Sequence, residues 1–95
     1  PFATRVNVNW KVGLKTEKKT KTFHKNAGSK ITVEVSVFPT KKIRIGIVAK
    51  SIGRMYVETT DMAKKTFNIK KTGEYSVFVT NKSDSTIHVV GNYTK

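Results

Sequence analysis

The chain reads as an all-β protein, a single-domain antiparallel β-sandwich, and three observations carry that reading. Nineteen Val and Ile stand against one Leu, Leu14, and β-branched side chains suit a pleated, half-buried surface better than a helix. Apolar residues recur at every second position through most of the chain, the period of a strand with one buried face. Turn clusters interrupt these runs about every 8 to 12 residues, the spacing of a sandwich or barrel. A small closed barrel is the alternative. The 95 residues match one domain of the usual size, about 100 residues or a little more, so residues 1–95 are expected to fold as one unit.

Val6, Val8, Trp10 and Val12 alternate with Arg5, Asn7, Asn9 and Lys11, which puts four apolar groups on one face of a first strand. Residues 14–23 keep the alternation with polar groups, Lys15, Glu17, Lys19 and Lys21 against Thr16, Lys18, Thr20 and Thr22. Such a strand belongs at a sheet edge. Asn26, Ala27, Gly28 and Ser29 supply a turn, and Ile31, Val33, Val35 and Val37 then form the cleanest buried face, ended by Pro39. Ile43, Ile45, Ile47 and Ala49 form the next, with Gly46 on the opposite side marking a bulge or a close backbone approach. After a turn at Ser51, Ile52 and Gly53, Met55, Val57 and Thr59 alternate with Tyr56 and Glu58. Asp61, Met62 and Ala63 break that run before a short strand carrying Phe67 and Ile69. Lys71, Thr72 and Gly73 turn into Tyr75, Val77 and Val79; residues 81–85 read as a polar loop; Ile87 and Val89 lead through Gly91 to Tyr93. Val8, Trp10, Val33, Val35, Ile45, Ile47, Val57, Tyr75, Val77 and Val89 are expected to point inward, because strands of this length bury one face each between two sheets.

Gly73, Glu74, Tyr75, Ser76 and Val77 resemble the Gly-x-Tyr-x-Cys strand entry of immunoglobulin-like domains, in which a corner tyrosine lies two residues before a buried position. Val77 stands where that pattern has cysteine. The resemblance implies an immunoglobulin-like sandwich, with a jelly-roll-like one as the other two-sheet form, and it implies no activity.

Charge is the feature that calls for a function. Nineteen Lys and Arg against six Asp and Glu give +13, whereas solubility asks for a net charge of only about 2 to 8 on a small domain. Residues 5–30 hold eight basic residues and one acid, Glu17. Lysine on edge strands also blocks sheet-to-sheet aggregation, but that role does not require so large an excess. Lys15, Lys18, Lys19, Lys21, Lys25 and Lys30 are therefore the candidate anion-binding patch. With sixteen Lys to three Arg, the set consists mainly of mobile point charges and lacks the planar forks that read base edges. Among the aromatics only Phe38, Tyr56 and Phe78 fall on faces opposite the core, too few to make a stacking platform for single strands. The expected partner is an anionic cell-envelope polymer or lipid surface. Sequence-non-specific nucleic-acid binding and a structural or protein-interaction role are the alternatives.

Catalysis finds little support. His24 and His88 have no second histidine at ligand spacing. Asp84, Ser85 and His88 contain triad residue types, but as near neighbours between a loop and a strand they do not converge in triad geometry. The other acids are scattered, so no enzyme activity, metal or cofactor is expected. No cysteine is present, which excludes disulfides and thiolate metal sites. The composition fits a secreted protein, antimicrobial or otherwise active at cell envelopes. The first residue is Pro1, and no signal-peptide layout precedes the first strand pattern, so a processed chain is expected. Apolar stretches such as Ile47, Val48 and Ala49 fall far short of the roughly 20 residues a spanning helix needs.

Overall fold

A computed structural model of the chain describes residues 4–95, and the Pro1 terminus, with Phe2 and Ala3, lies outside the described residues. Nine strands run in order: β1 (Arg5–Val12), β2 (Glu17–Lys19), β3 (Phe23–Lys25), β4 (Lys30–Phe38), β5 (Ile43–Ala49), β6 (Gly53–Thr59), β7 (Met62–Asn68), β8 (Gly73–Asn81) and β9 (Ile87–Thr94). They form two antiparallel sheets, one of four strands in the order β1-β9-β4-β7 and one of five in the order β2-β8-β5-β6, with β3 also on β8. The sheets pack as a sandwich and do not close into a barrel.

The connections decide between the two sandwich forms. β2 and β3 pair with β8 in succession, so they act as one broken strand and the molecule has eight strand positions. Every connection then crosses between sheets except the β5–β6 hairpin. In the immunoglobulin order the last two strands share a sheet; here β8 and β9 lie in different sheets. The topology is that of an eight-stranded jelly roll.

The core follows the period-2 pattern. Ile31, Val33, Val35, Val37 and Val89 of one sheet meet Ile43, Ile45, Ile47, Tyr75 and Val77 of the other, all fully buried or nearly so. Of the ten expected inward residues, Trp10 and Val57 are half-buried and pack on the rim. The corner tyrosine is present despite the different topology: the Tyr75 hydroxyl donates to the Lys71 carbonyl at 2.5 Å, which ties the start of β8 to the turn that delivers it. Gly46 is a close approach, since a Cβ there would lie 1.9 Å from the Met55 carbonyl oxygen.

Three expectations need correction. Residues 14–23 do not form one continuous edge strand. Gly13 accepts from Thr16 in a turn, and the pairing to β8 slips by one residue between Lys19↔Phe78 and Phe23↔Tyr75, as at a β-bulge. Thr20 sits at the slip, its amide donating to the Val77 carbonyl at 2.9 Å and its hydroxyl accepting from the Val77 amide at 3.1 Å. The break after β6 is confined to residues 60–61, because Met62 already pairs with Ser36. Asn81, read as a loop residue, ends β8 and is only 1% exposed. Its Nδ2 donates towards the carbonyls of Val12, Gly13 and Ser85 at 3.2, 3.1 and 2.7 Å, and its Oδ1 accepts from the Ser83 amide at 2.9 Å.

These two sites make separate stability tests. Gly46→Ala is expected to lose about 2 kcal/mol or more through overpacking, and Asn81→Ala about 2 to 4 kcal/mol through orphaned buried carbonyls. Urea denaturation should show a lower midpoint for each; a wild-type midpoint for Gly46→Ala would refute the close approach.

Candidate functional site

Side chains on the outward face of the five-stranded sheet sort the charges. Glu17 of β2 and Arg54 of β6 come from its two opposite edges, yet they form a two-point ion pair, Nη1 to Oε1 at 2.5 Å and Nη2 to Oε2 at 2.9 Å. Between them lies Phe78, with the Arg54 guanidinium 4.5 Å from its ring centroid and Tyr56 edge-on at 6.5 Å. Phe78 is therefore buried, although its strand position faces outward. It is not a free stacking surface. Arg44 lies 4.8 Å over Tyr56 and pairs with Glu58 at 3.3 Å. His24 of β3 directs Nδ1 to Glu74 and Nε2 to Asn26, each at 2.9 Å.

Arg54, Arg44 and His24 thus occupy three of the six acids, and no lysine forms a salt bridge among the described residues. All sixteen lysines are exposed except Lys25 and Lys41, which are half-buried.

The sequence-derived patch is distributed by the strand geometry. Lys19 lies opposite Phe78 on the outward face, whereas Lys18 lies opposite Val79 and turns to the sandwich rim, its Nζ 5.9 Å from the Trp10 ring centroid. Lys21 falls within the bulge between β2 and β3, and Lys25 lies opposite Gly73. Lys15 sits in a turn at the far end with φ 51°, its amide bonded to the Ser83 carbonyl. Lys30 begins β4 in the other sheet, opposite Asn68. The six residues form a rim along one edge that wraps around one end.

At that end the turns gather further lysines. Gly28 donates to the Ile69 carbonyl at 2.7 Å, the Ala27 amide to Thr72 Oγ1 at 2.9 Å, and a Cβ on Gly73 would sit 3.6 Å from Ser51 Oγ. Lys50, Lys70 and Lys71 thereby join Lys25 and Lys30, and Lys95 reaches the same end, its Nζ 5.5 Å over the Phe23 ring, with Glu74 the one acid on these segments. Sequence reading missed these four because no local pattern links them; the register alone does. The other end brings Lys15, Lys41, Lys42 and Lys82 together through bonds such as Lys82 N to Lys42 O at 3.2 Å, but there Asp61 and Asp84 accompany them.

Asp84, Ser85 and His88 form no hydrogen bond to one another among the described residues; His88 is exposed on the outward face of the four-stranded sheet, beside Lys11 and Phe38. No group of three or more His, Asp or Glu among the described residues is placed to hold a metal ion. No helix among them is long and apolar enough to cross a membrane. The chain matches no model of a known protein family, and no curated protein is similar to it in sequence.

Two titrations follow from this wiring. The Arg54 fork holds the Glu17 carboxyl below its ordinary 4.5, so the pair stabilises the fold above that value and is lost as pH falls through the lowered one. Glu74, and then Asn26, raise His24 above its ordinary 6.5, because the neutral ring can donate to only one of two acceptors. That contribution is full below 6.5 and disappears as pH rises through the raised value. Proton NMR titration of His24 should give a midpoint above 6.5 that falls back towards it in Glu74→Gln; no change in the variant would remove the pair from the account.

Proposed function

We propose that the protein is a non-catalytic, secreted binder of anionic cell-envelope polymers, with growth inhibition of susceptible cells as one outcome of that binding. The observation that supports it best is the division of labour among cations: arginine and histidine take three of the six acids, and none of the sixteen lysines forms a salt bridge among the described residues. Uncompensated charge of this size costs self-repulsion in the folded state, and a polyanion relieves it by releasing its own counterions as it binds. Mobile lysine charges on a rigid sheet suit a repeating anionic polymer, which presents charge without fixed bidentate geometry. Phe78 lies beneath Arg54, which takes away one of the three aromatics outside the inner faces that a single-stranded nucleic acid needs for stacking.

A competition assay in about 150 mM salt, where the screening length is about 8 Å, tests this reading. Duplex DNA, single-stranded DNA, anionic vesicles and envelope polymer are offered to one protein sample. The expected result is preference for envelope polymer, with affinity falling steeply as salt rises. Preference for either nucleic acid would replace the proposal with non-specific nucleic-acid binding, and binding of none would leave the charge to solubility and the fold to a structural role.

A further inference from the structure

The outward face of the five-stranded sheet is not flat. Below the Arg54–Glu17 strap lies an open groove of about 540 Å³ lined by Lys19, Thr22, Val48, Ala49, Lys50, Ser51, Gly73, Glu74 and Ser76, within the range of about 300 to 1,000 Å³ that holds small ligands. It exists because the strand between Lys19 and Phe23 bulges and brings Thr22 to one wall, while the β5–β6 hairpin brings Lys50 and Ser51 to the other. Ser76 is in its floor, opposite Val48. Only 4% of its surface is exposed.

We propose that this groove binds one acidic sugar unit of a carboxylated glycan. The inference rests on the polyanion-binding reading and names the class of polymer. Val48 offers an apolar surface for the C–H face of a pyranose ring. Lys19 and Lys50 stand on opposite walls to meet a carboxylate. Ser76, Ser51 and Thr22 are donors and acceptors for ring hydroxyls, and Glu74 adds an acceptor. Glu74 is the discriminating residue: His24 holds its Oε2, and its other oxygen accepts from a sugar hydroxyl, a donor that a polyphosphate chain lacks. The lining contains no aromatic residue, so a nucleobase finds nothing to stack on.

The test is calorimetric titration of the full chain with an oligogalacturonate, with inorganic polyphosphate of matched charge and with a neutral oligosaccharide, in about 150 mM salt. Oligogalacturonate is expected to bind about tenfold or more tighter than polyphosphate. Lys50→Glu and Lys19→Glu should each weaken it about tenfold, Ser76→Val about fivefold, and Lys82→Glu at the far end less than about twofold. Glu74→Gln should narrow the gap by raising polyphosphate affinity. Equal affinity for the two anions, or equal losses at Lys19, Lys50 and Lys82, would overturn the groove and leave general polyanion binding standing. Binding of neither anion would overturn both readings. Lys50 is exposed on a turn, so its reversal keeps the test decisive if Ser76→Val folds poorly.

Discussion

Strand β8 is fastened at both ends, and the remainder of the five-stranded sheet is arranged around it. At its start the Tyr75 hydroxyl is bonded to the Lys71 carbonyl. At its finish the Asn81 carboxamide reaches three carbonyls: at the end of β1, just after it, and in the loop before β9. A buried amide that satisfies several backbone groups at once is costly to replace, because each orphaned carbonyl carries its own desolvation penalty. With β8 fixed in this way, β5 pairs along one side and the broken β2–β3 strand along the other. Both the lysine rim and the groove inherit their positions from that pairing.

The same sheet explains why the charge is divided by residue type. Only arginine has a planar fork long enough to cross Phe78 and grip a carboxylate on the opposite edge with two nitrogens. The strap seals an aromatic residue on an otherwise polar face and consumes one acid. Lysine, strongly hydrated, gains little from an exposed pair and stays in solvent. Part of its role is protective, since β2 and β7 are edge strands and carry Lys18, Lys19, Lys64 and Lys65. Protection does not account for Lys70, Lys71 and Lys95, which lie outside the edge-strand segments, in a turn and at the last residue. It is these that give the proposed polyanion contact its breadth.

The strands were legible because alternation survives wherever one face is buried: Ile31 to Val37 and Ile43 to Ala49 read directly as inward and outward sets, and burial agrees at every position but Gly46, which is outward yet buried by the close approach of β6. Residues 14–23 failed for the same reason in reverse. With no apolar phase, nothing in their sequence records the one-residue slip at Thr20. Phe78 and Asn81 were misread because their burial is supplied from far away in sequence, by Arg54 and by the backbone at Val12 and Gly13. The candidate patch was read on one polar strand and the adjoining turn, and consecutive strand residues face opposite ways. Lys18 and Lys19 therefore part company, and the cluster at one end is assembled by topology from turns that share no local signal.

The account places polyanion contact on the five-stranded sheet and the lysine-rich end and leaves the Thr- and Asn-lined outer face of the other sheet uninvolved. Amide chemical-shift mapping during titration with an acidic oligosaccharide tests this most directly. Perturbations should concentrate in β2, β3, the start of β8 and the turns at residues 50–52 and 69–72. Shifts centred instead on Asn7, Thr32, Asn92 and Phe38 would contradict it.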